Sequence, residues 1–463
     1  MEDFAPRLES FPVRFLVASE PGRTVVTPTD AFSPSEFRAD EAALSYLRSC
    51  ISRINKHLSK GVPLEGEDLY LAEMLRPDRR QEAPVKEGKC GGGCSCSVTA
   101  EHKSVELFLL LAQFCNLGCV YCLDGSETYQ TSRHLRMSPE VSRLAIDRIV
   151  ETLRPGDTLN VTFFGGEPLL NWPTAKSTIE YARMVCLEKL VSLNFGIQTN
   201  LTFLPRDFIS AAKDENITII CSLDGPEGVH NALRPHRDKS ANSYRMTCSR
   251  LAELRAGGVP FQLRATITSL NVKLLPEIAD LHASLGAGGT IFGMLRPVNS
   301  DGFVFDISLA PDLDDLEASF RRLHLSHPEI FEDVTNGILS RMRPEGAGRA
   351  CGAAYMNTPT VDANGDVYSC SWFVGQPEKL IGNLRDRTFL REEAVASNYQ
   401  EFDNRQDPVC SACDYYAVCK GGCAATRLAS GGGEDAERAI SIMRGQQCTL
   451  VKTVVDGLLL SGV

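Results

Sequence analysis

The chain has no long apolar run. Its longest, VELFLLLA at 105–112, falls well short of the roughly 20 residues that a membrane-spanning helix needs. It has no basic excess either. The 48 Lys and Arg stand against 59 Asp and Glu, a formal net charge of −11. That argues against a nucleic-acid surface spread over the whole protein, while leaving room for a local basic patch. The opening stretch, MEDFAPRLESFPVRFLVASE, is acidic at once and lacks the apolar core of a secretory signal. The expectation is a soluble cytoplasmic protein with no membrane and no nucleic-acid partner. The remaining composition, 43% hydrophobic and 23% charged over 463 residues, is ordinary for two or three globular domains.

What the chain has in quantity is cysteine, 17 in all. A reducing compartment disfavours disulfides, and a chain of this length needs no such staples. Cys50, Cys186, Cys221 and Cys248 stand alone and read as small buried apolar side chains. The others cluster: Cys90, Cys94 and Cys96; Cys115, Cys119 and Cys122; Cys351 and Cys370; then Cys410, Cys413, Cys419 and Cys423, followed by Cys448.

Residues 105–297 alternate strand-like and helix-like runs. The strand candidates are 105–112, 159–166, 193–200, 217–225, 261–268 and 290–297. Between them lie helical patterns such as SPEVSRLAIDRIVETLR, with Ser138 as N-cap and Pro139 in the first turn. Near-continuous apolar strands alternating with helices predict a parallel sheet covered on its outer face. Six such units are fewer than a closed eight-fold barrel holds, so the expected fold is α/β, a partial (β/α)6 barrel. Chemistry in such folds gathers at the C-terminal strand ends. Residues 1–85 form a separate small α+β segment, with a hairpin from RFLVAS and RTVVTP followed by helical runs. Residues 86–104 read as a Cys/Gly-rich linker, 105–310 as the barrel and 311–463 as a Cys-rich C-terminal domain.

CNLGCVYC directly follows the first strand and FFGGEP the second. Three loop thiolates, Cys115, Cys119 and Cys122, would leave one iron of a four-iron cluster open to an outside ligand. A zinc site would need a fourth protein ligand, and no nearby His supplies one.

CxxxCx(aromatic)C after the first strand, joined to GGEP after the second, resembles the radical S-adenosylmethionine (SAM) superfamily. The resemblance implies that Cys115, Cys119 and Cys122 bind three irons while SAM chelates the fourth. It implies further that Gly165, Gly166, Glu167 and Pro168 hold the SAM amino group, the Glu167 carboxylate meeting the ammonium and the glycines letting the backbone approach the ligand. Asn200 and Ser222 would face the ribose or carboxylate of SAM, and Arg264 would pair with the carboxylate. Structural readings stand beside these: Asp224-Gly225 as a turn, and Arg264 as an ion-pair partner.

Cys351, the NGDVYSC stretch with Gly365 and Cys370, CSACDYYAVCKGGC and Cys448 together resemble a SPASM domain. This implies a distal cluster on Cys410, Cys413, Cys419 and Cys448 and a proximal one on Cys351, Cys370 and Cys423, so three 4Fe–4S clusters in all. With three thiolates, the proximal cluster would keep an open iron for a substrate sulfur. Alternatively, Cys90, Cys94 or Cys96 would fill it, act in substrate or metal handling, or simply belong to a linker. The N-terminal segment resembles a winged-helix-like peptide-recognition element, which binds a leader by strand addition.

VYSCSWFVGQPEKLIGNL is similar to the matching stretch of thioether-forming and quinohemoprotein-type peptide maturases. The implied enzyme is a radical SAM oxidoreductase that modifies a ribosomally made, Cys-containing precursor peptide. It would form a thioether or another side-chain cross-link through a 5′-deoxyadenosyl radical, with flavodoxin or ferredoxin as electron donor. The alternative is a formylglycine-forming dehydrogenase of the anaerobic sulfatase-maturase type, whose usual Asp after the matching Cys is Ser371 here. No catalytic base is singled out: Asp414, Tyr415 and Tyr416 lie between cluster ligands and read equally well as structural.

Overall fold

The structure, a computed structural model, describes residues 15–20, 23–28, 35–37, 103–122, 135–295, 307–327, 330, 353, 356–386, 408–413, 415–419, 421–423 and 434–461. Cys50, Cys90, Cys94, Cys96, Cys351, Asp414 and the N-terminal helical runs expected at 39–58 and 66–75 lie outside the described residues.

The hairpin expected near the N-terminus is present. Strands β1 (Phe15–Glu20) and β2 (Arg23–Pro28) pair antiparallel, and β3 (Ser35–Phe37) adds to β2 on the far side. The six expected barrel strands follow as β4 (Ser104–Ala112), β5 (Thr158–Gly165), β6 (Ser192–Thr199), β7 (Thr218–Ser222), β8 (Phe261–Ile267) and β9 (Thr290–Met294). All are parallel, in chain order across one sheet. Helices connect them, beginning with α1 (Pro139–Val150) and α2 (Trp172–Lys189). The first starts as its sequence dictates: Ser138 Oγ accepts from the Val141 amide at 3.3 Å and Pro139 occupies the first turn.

Alternation along the strands sorts side chains onto two faces. Val105, Leu107, Leu109 and Leu111 of β4 join Leu159, Val161 and Phe163 of β5 in the main core, against Ala145, Ile146 and Ile149 of α1 and Ala175 and Ile179 of α2. Each fully buried Leu, Ile or Phe contributes about 1.5–3 kcal/mol, so this outer face carries much of the packing. Cys186 and Cys221 are buried in the same core. Burial pushes the Cys186 thiol up to about 11 and the Cys221 thiol higher still, so both behave as small apolar side chains.

The sheet continues past the barrel. Strand β10 (Thr360–Val361) runs parallel to β4, with β11 (Asp366–Tyr368) and β12 (Leu380–Asn383) antiparallel beyond it, giving nine strands in the order β12-β11-β10-β4-β5-β6-β7-β8-β9. The Glu106 and Phe108 amides donate to the carbonyls of Asn357 and Pro359 at 2.8 and 2.9 Å. The cysteine-rich segment is thus joined edge to edge with the first barrel strand. The long C-terminal helix (Glu434–Ser461) packs on the helix Leu313–Ser326 and against β1. No helix among the described residues is long and apolar enough to cross a membrane.

Candidate active site

The loop after β4 carries Cys115, Cys119 and Cys122, and a second segment fastens it down. Gly118 and Val120 donate backbone hydrogen bonds to the carbonyls of Pro235 and Leu233, at 2.8 and 2.9 Å. The Arg237 amide donates to Asn116 O at 3.0 Å, and its Nε to Cys115 O at 2.9 Å. Residues 233–237 are not among the site residues that the sequence points to; two Arg and one His among five residues are the only signal there.

The Gly165-Gly166 pair packs against the same loop from below. Gly166 N donates to Ala112 O and Glu167 N to Phe114 O, at 2.8 and 3.0 Å. A Cβ on Gly165 (φ +124°) would sit 2.5 Å from Ala112 O, and one on Gly166 would sit 2.3 Å from Phe114 O. Close approach of β5 to the cysteine loop therefore requires both glycines, independently of any ligand.

Glu167 follows the two glycines. Its carboxylate is fully buried and accepts from the Leu169 amide (3.0 Å), Thr199 Oγ1 (2.7 Å) and the Asn200 amide (2.7 Å). It therefore caps the turn Pro168–Asn171 and clamps the end of β6. Pro168 is likewise buried, in the first turn of that cap. Burial pushes the Glu167 carboxyl up to about 7, against the three hydrogen bonds that pull it down.

A folded-state value raised above the unfolded one means stability present at low pH and lost as pH rises through about 7. The shift from 4.5 to about 7 corresponds to about 3 kcal/mol. Denaturant unfolding measured between pH 5 and 8 is expected to show this loss, and Glu167→Gln to flatten that part of the profile. An unchanged profile in the variant would rule the carboxyl out as its source.

Above the pair lies a cavity of about 200 Å³. The three loop cysteines, both glycines, Asn200, Ser222 and Arg264 all line it, whereas Glu167 and Pro168 do not. Asn200 is committed to the cysteine loop. Its Nδ2 donates to Cys115 Sγ at 3.3 Å and Asn116 Oδ1 at 3.1 Å, and its Oδ1 accepts from Thr202 N and Oγ1. Arg264 crosses to the neighbouring strand, where a Cβ on Gly293 would sit 2.7 Å from its Nη2.

The sulfur atoms are met by donors. Besides Asn200, the Leu117 amide reaches Cys115 Sγ at 3.4 Å, and Arg234 Nη1 reaches Cys119 Sγ at 3.9 Å. Hydrogen bonds to sulfur are what thiolate ligands of an iron–sulfur cluster need. Among the described residues no three His, Cys, Asp or Glu converge as a single-ion site requires. A cluster engages each thiol at a separate iron, so three thiols spread along one cavity wall fit it. Residues 109–288 match the radical SAM superfamily, and residues 351–414 the SPASM iron–sulfur cluster-binding domain. The chain is a radical SAM enzyme.

Relatives of this radical SAM enzyme include the mycofactocin maturase MftC of Mycobacterium ulcerans, 27% identical over 69% of the chain and 83% of the relative. The cysteine-type anaerobic sulfatase-maturating enzyme of Clostridium novyi is 22% identical over 67% of the chain and 84% of the relative. A solved structure of anSMEcpe with bound AdoMet superposes with a TM-score of 0.62 at 18% identity, covering 77% of this chain and 98% of that one. The likeness to that structure is one of fold.

The SPASM region of this radical SAM enzyme also lines the cavity, through Ser371 and Trp372, directly after Cys370, and through Val374. Cys410, Cys413 and Cys419 sit in and beside two single-turn helices, Pro408–Ser411 and Tyr416–Cys419. The C-terminal helix bearing Cys448 also fixes Cys423, whose amide donates to Gln447 Oε1 at 3.1 Å. Met443 of that helix packs with Leu295 and Tyr121, so it reaches the thiol loop as well. Tyr415 packs on the core of Ala265 and Phe320 under Lys452.

Proposed function

We propose that this radical SAM enzyme modifies a peptide or protein, joining a cysteine sulfur to carbon as a thioether or forming another side-chain cross-link. The observation that carries the reading is the makeup of the cavity wall. Among the described residues lining it there is no Asp, Glu, His or Lys, and Ser371 stands directly after Cys370. A formylglycine-forming enzyme of the sulfatase-maturase type usually carries an Asp there as base. A cavity walled by Ser371 and Trp372 suits coupling of two side chains better than base-assisted oxidation. Two lines of comparison support a peptide substrate: one of the relatives is a maturase by name, and anSMEcpe has been solved with both AdoMet and a peptide bound.

Cys115, Cys119 and Cys122 would hold the SAM-binding cluster, with Ser222 and Arg264 at hand for the polar groups of SAM. Bound there and reduced by one electron, SAM supplies a 5′-deoxyadenosyl radical able to take a hydrogen atom from an unactivated carbon. Cys351, Cys370 and Cys423, with Cys410, Cys413, Cys419 and Cys448, would hold two further clusters, three in all. Leu110, Phe164, Met294, Leu295 and Val374 make most of the cavity apolar and keep water from the reacting carbon. The outer edge of β3 carries no further described strand, and a leader segment adding there as a strand fits the geometry. Flavodoxin or ferredoxin would be the electron donor.

Joining C–H carbon to S–H sulfur removes two hydrogens. Mass spectrometry of the treated substrate should therefore find a product lighter by two hydrogens that resists thiol alkylation. An aldehyde-reactive product would decide for the dehydrogenase instead.

A further inference from the structure

A buried ion pair lies behind the cysteine loop. Asp224, fully buried after β7, accepts Arg234 Nε at 2.8 Å on the same Oδ2 that accepts the Tyr121 hydroxyl. The Arg234 guanidinium lies 5.3 Å from the Tyr121 ring centre and directs Nη1 at Cys119 Sγ.

We propose that Arg234 sets the electron affinity of the cluster held by Cys115, Cys119 and Cys122, as a positioning residue acting through the Cys119 sulfur. This rests on the assignment of that cluster to those three thiols. The backbone on either side of Arg234 is pinned to the loop, Leu233 through Val120 and Pro235 through Gly118. Its side chain can turn little, because Asp224 is itself immobile. Oδ1 accepts the Thr266 amide at 2.9 Å, the Asp224 carbonyl accepts Asn271 Nδ2 at 3.0 Å, and the Asp224 amide donates to His230 Nδ1 at 3.2 Å.

Accepting an electron adds negative charge to a cluster, and its thiolate sulfurs share that charge. A fixed N–H and a positive charge at one sulfur favour the reduced form. Burial leaves the effect poorly screened. The carboxylate behind the guanidinium offsets the cost of burying it, while the N–H stays on the sulfur side. Tyr121 is held by its hydroxyl and its ring together, so the loop between Cys119 and Cys122 cannot drift from the cation.

The test uses the full chain with its clusters, following by EPR the signal that responds to SAM as the potential is lowered. Arg234→Lys keeps the charge and loses the fork. Arg234→Gln combined with Asp224→Asn replaces the ion pair by a neutral hydrogen-bonded pair and avoids a stranded carboxylate. The double variant is expected to lower the reduced-to-oxidised ratio at a fixed potential about tenfold, a midpoint about 59 mV more negative. The Lys variant should shift less, in the same direction. Wild-type midpoints in both variants at unchanged iron content would overturn the proposal. So would loss of the cluster from the double variant, which would make the pair structural only. A SAM-responsive signal that survives Cys119→Ala would instead overturn the cluster assignment itself.

Discussion

Cys119→Ala is expected to reduce SAM cleavage to background and, with the three clusters proposed above, to remove roughly a third of the bound iron. Cys119 is held at its place by two independent features, the Val120–Leu233 and Gly118–Pro235 hydrogen bonds around it and the Arg234 contact at its sulfur. With two thiolates left, the loop still folds against residues 233–237 but has too few ligands to retain a cluster. The informative control is Cys221→Ala. That thiol lies in the helix-facing core, away from the cavity wall, so its loss should cost about 1 kcal/mol of packing and leave iron and SAM cleavage intact. Cleavage of SAM that persists in Cys119→Ala, or iron lost equally from Cys221→Ala, would remove the basis for reading the loop as the catalytic centre.

Gly166→Ala is expected to act through the fold and so to damage the same activity by another route. The added carbon would stand 2.3 Å from Phe114 O and 2.5 Å from Phe114 C. Both are backbone atoms of the loop, and neither can step aside as a side-chain tip would. Relief requires β5 to move away from the loop, with loss of the Gly166–Ala112 and Glu167–Phe114 hydrogen bonds. The cost expected is about 3 kcal/mol or more, read as a lower denaturation midpoint, together with weaker cluster retention. Gly228, where an added Cβ meets nothing within 4 Å, provides the comparison: alanine there should be neutral or slightly stabilising. Equal stability of the two variants would show that the close approach of β5 to the loop does not matter.

The barrel was legible in the sequence because its signals are local. Strand runs of five to nine residues with helix-period runs between them leave little choice of fold, and Ser138-Pro139 marks a helix start without reference to anything distant. Cysteine spacing is local too, and the three loop thiols do line one wall.

What escaped the reading is long-range. Strands of two and three residues, as in β10, β11 and β3, carry no period to detect. Arg234 and Asp224 are ten residues apart in the chain, yet their significance depends on Cys119, more than a hundred residues upstream. Asp224 was read as a possible turn residue beside Gly225. The glycine does take a positive φ of 141°, while the carboxylate turns inward to Arg234. The partners of Glu167 are hidden from the sequence for the same reason: where a carboxylate points is decided by the donors that surround it, and Thr199 and Asn200 arrive from another strand.

The pairing of β10 with β4 bears on how the molecule comes into being. Thr360 lies beside Phe108, so a ribosome delivers the first barrel strand roughly 250 residues before the partner that covers its outer side. Until then the nascent barrel presents a long apolar strand with unpaired amides, the kind of edge that recruits other chains. Assembly of the cysteine-rich end closes that edge, so the half of the molecule synthesised last also protects the half synthesised first from aggregation.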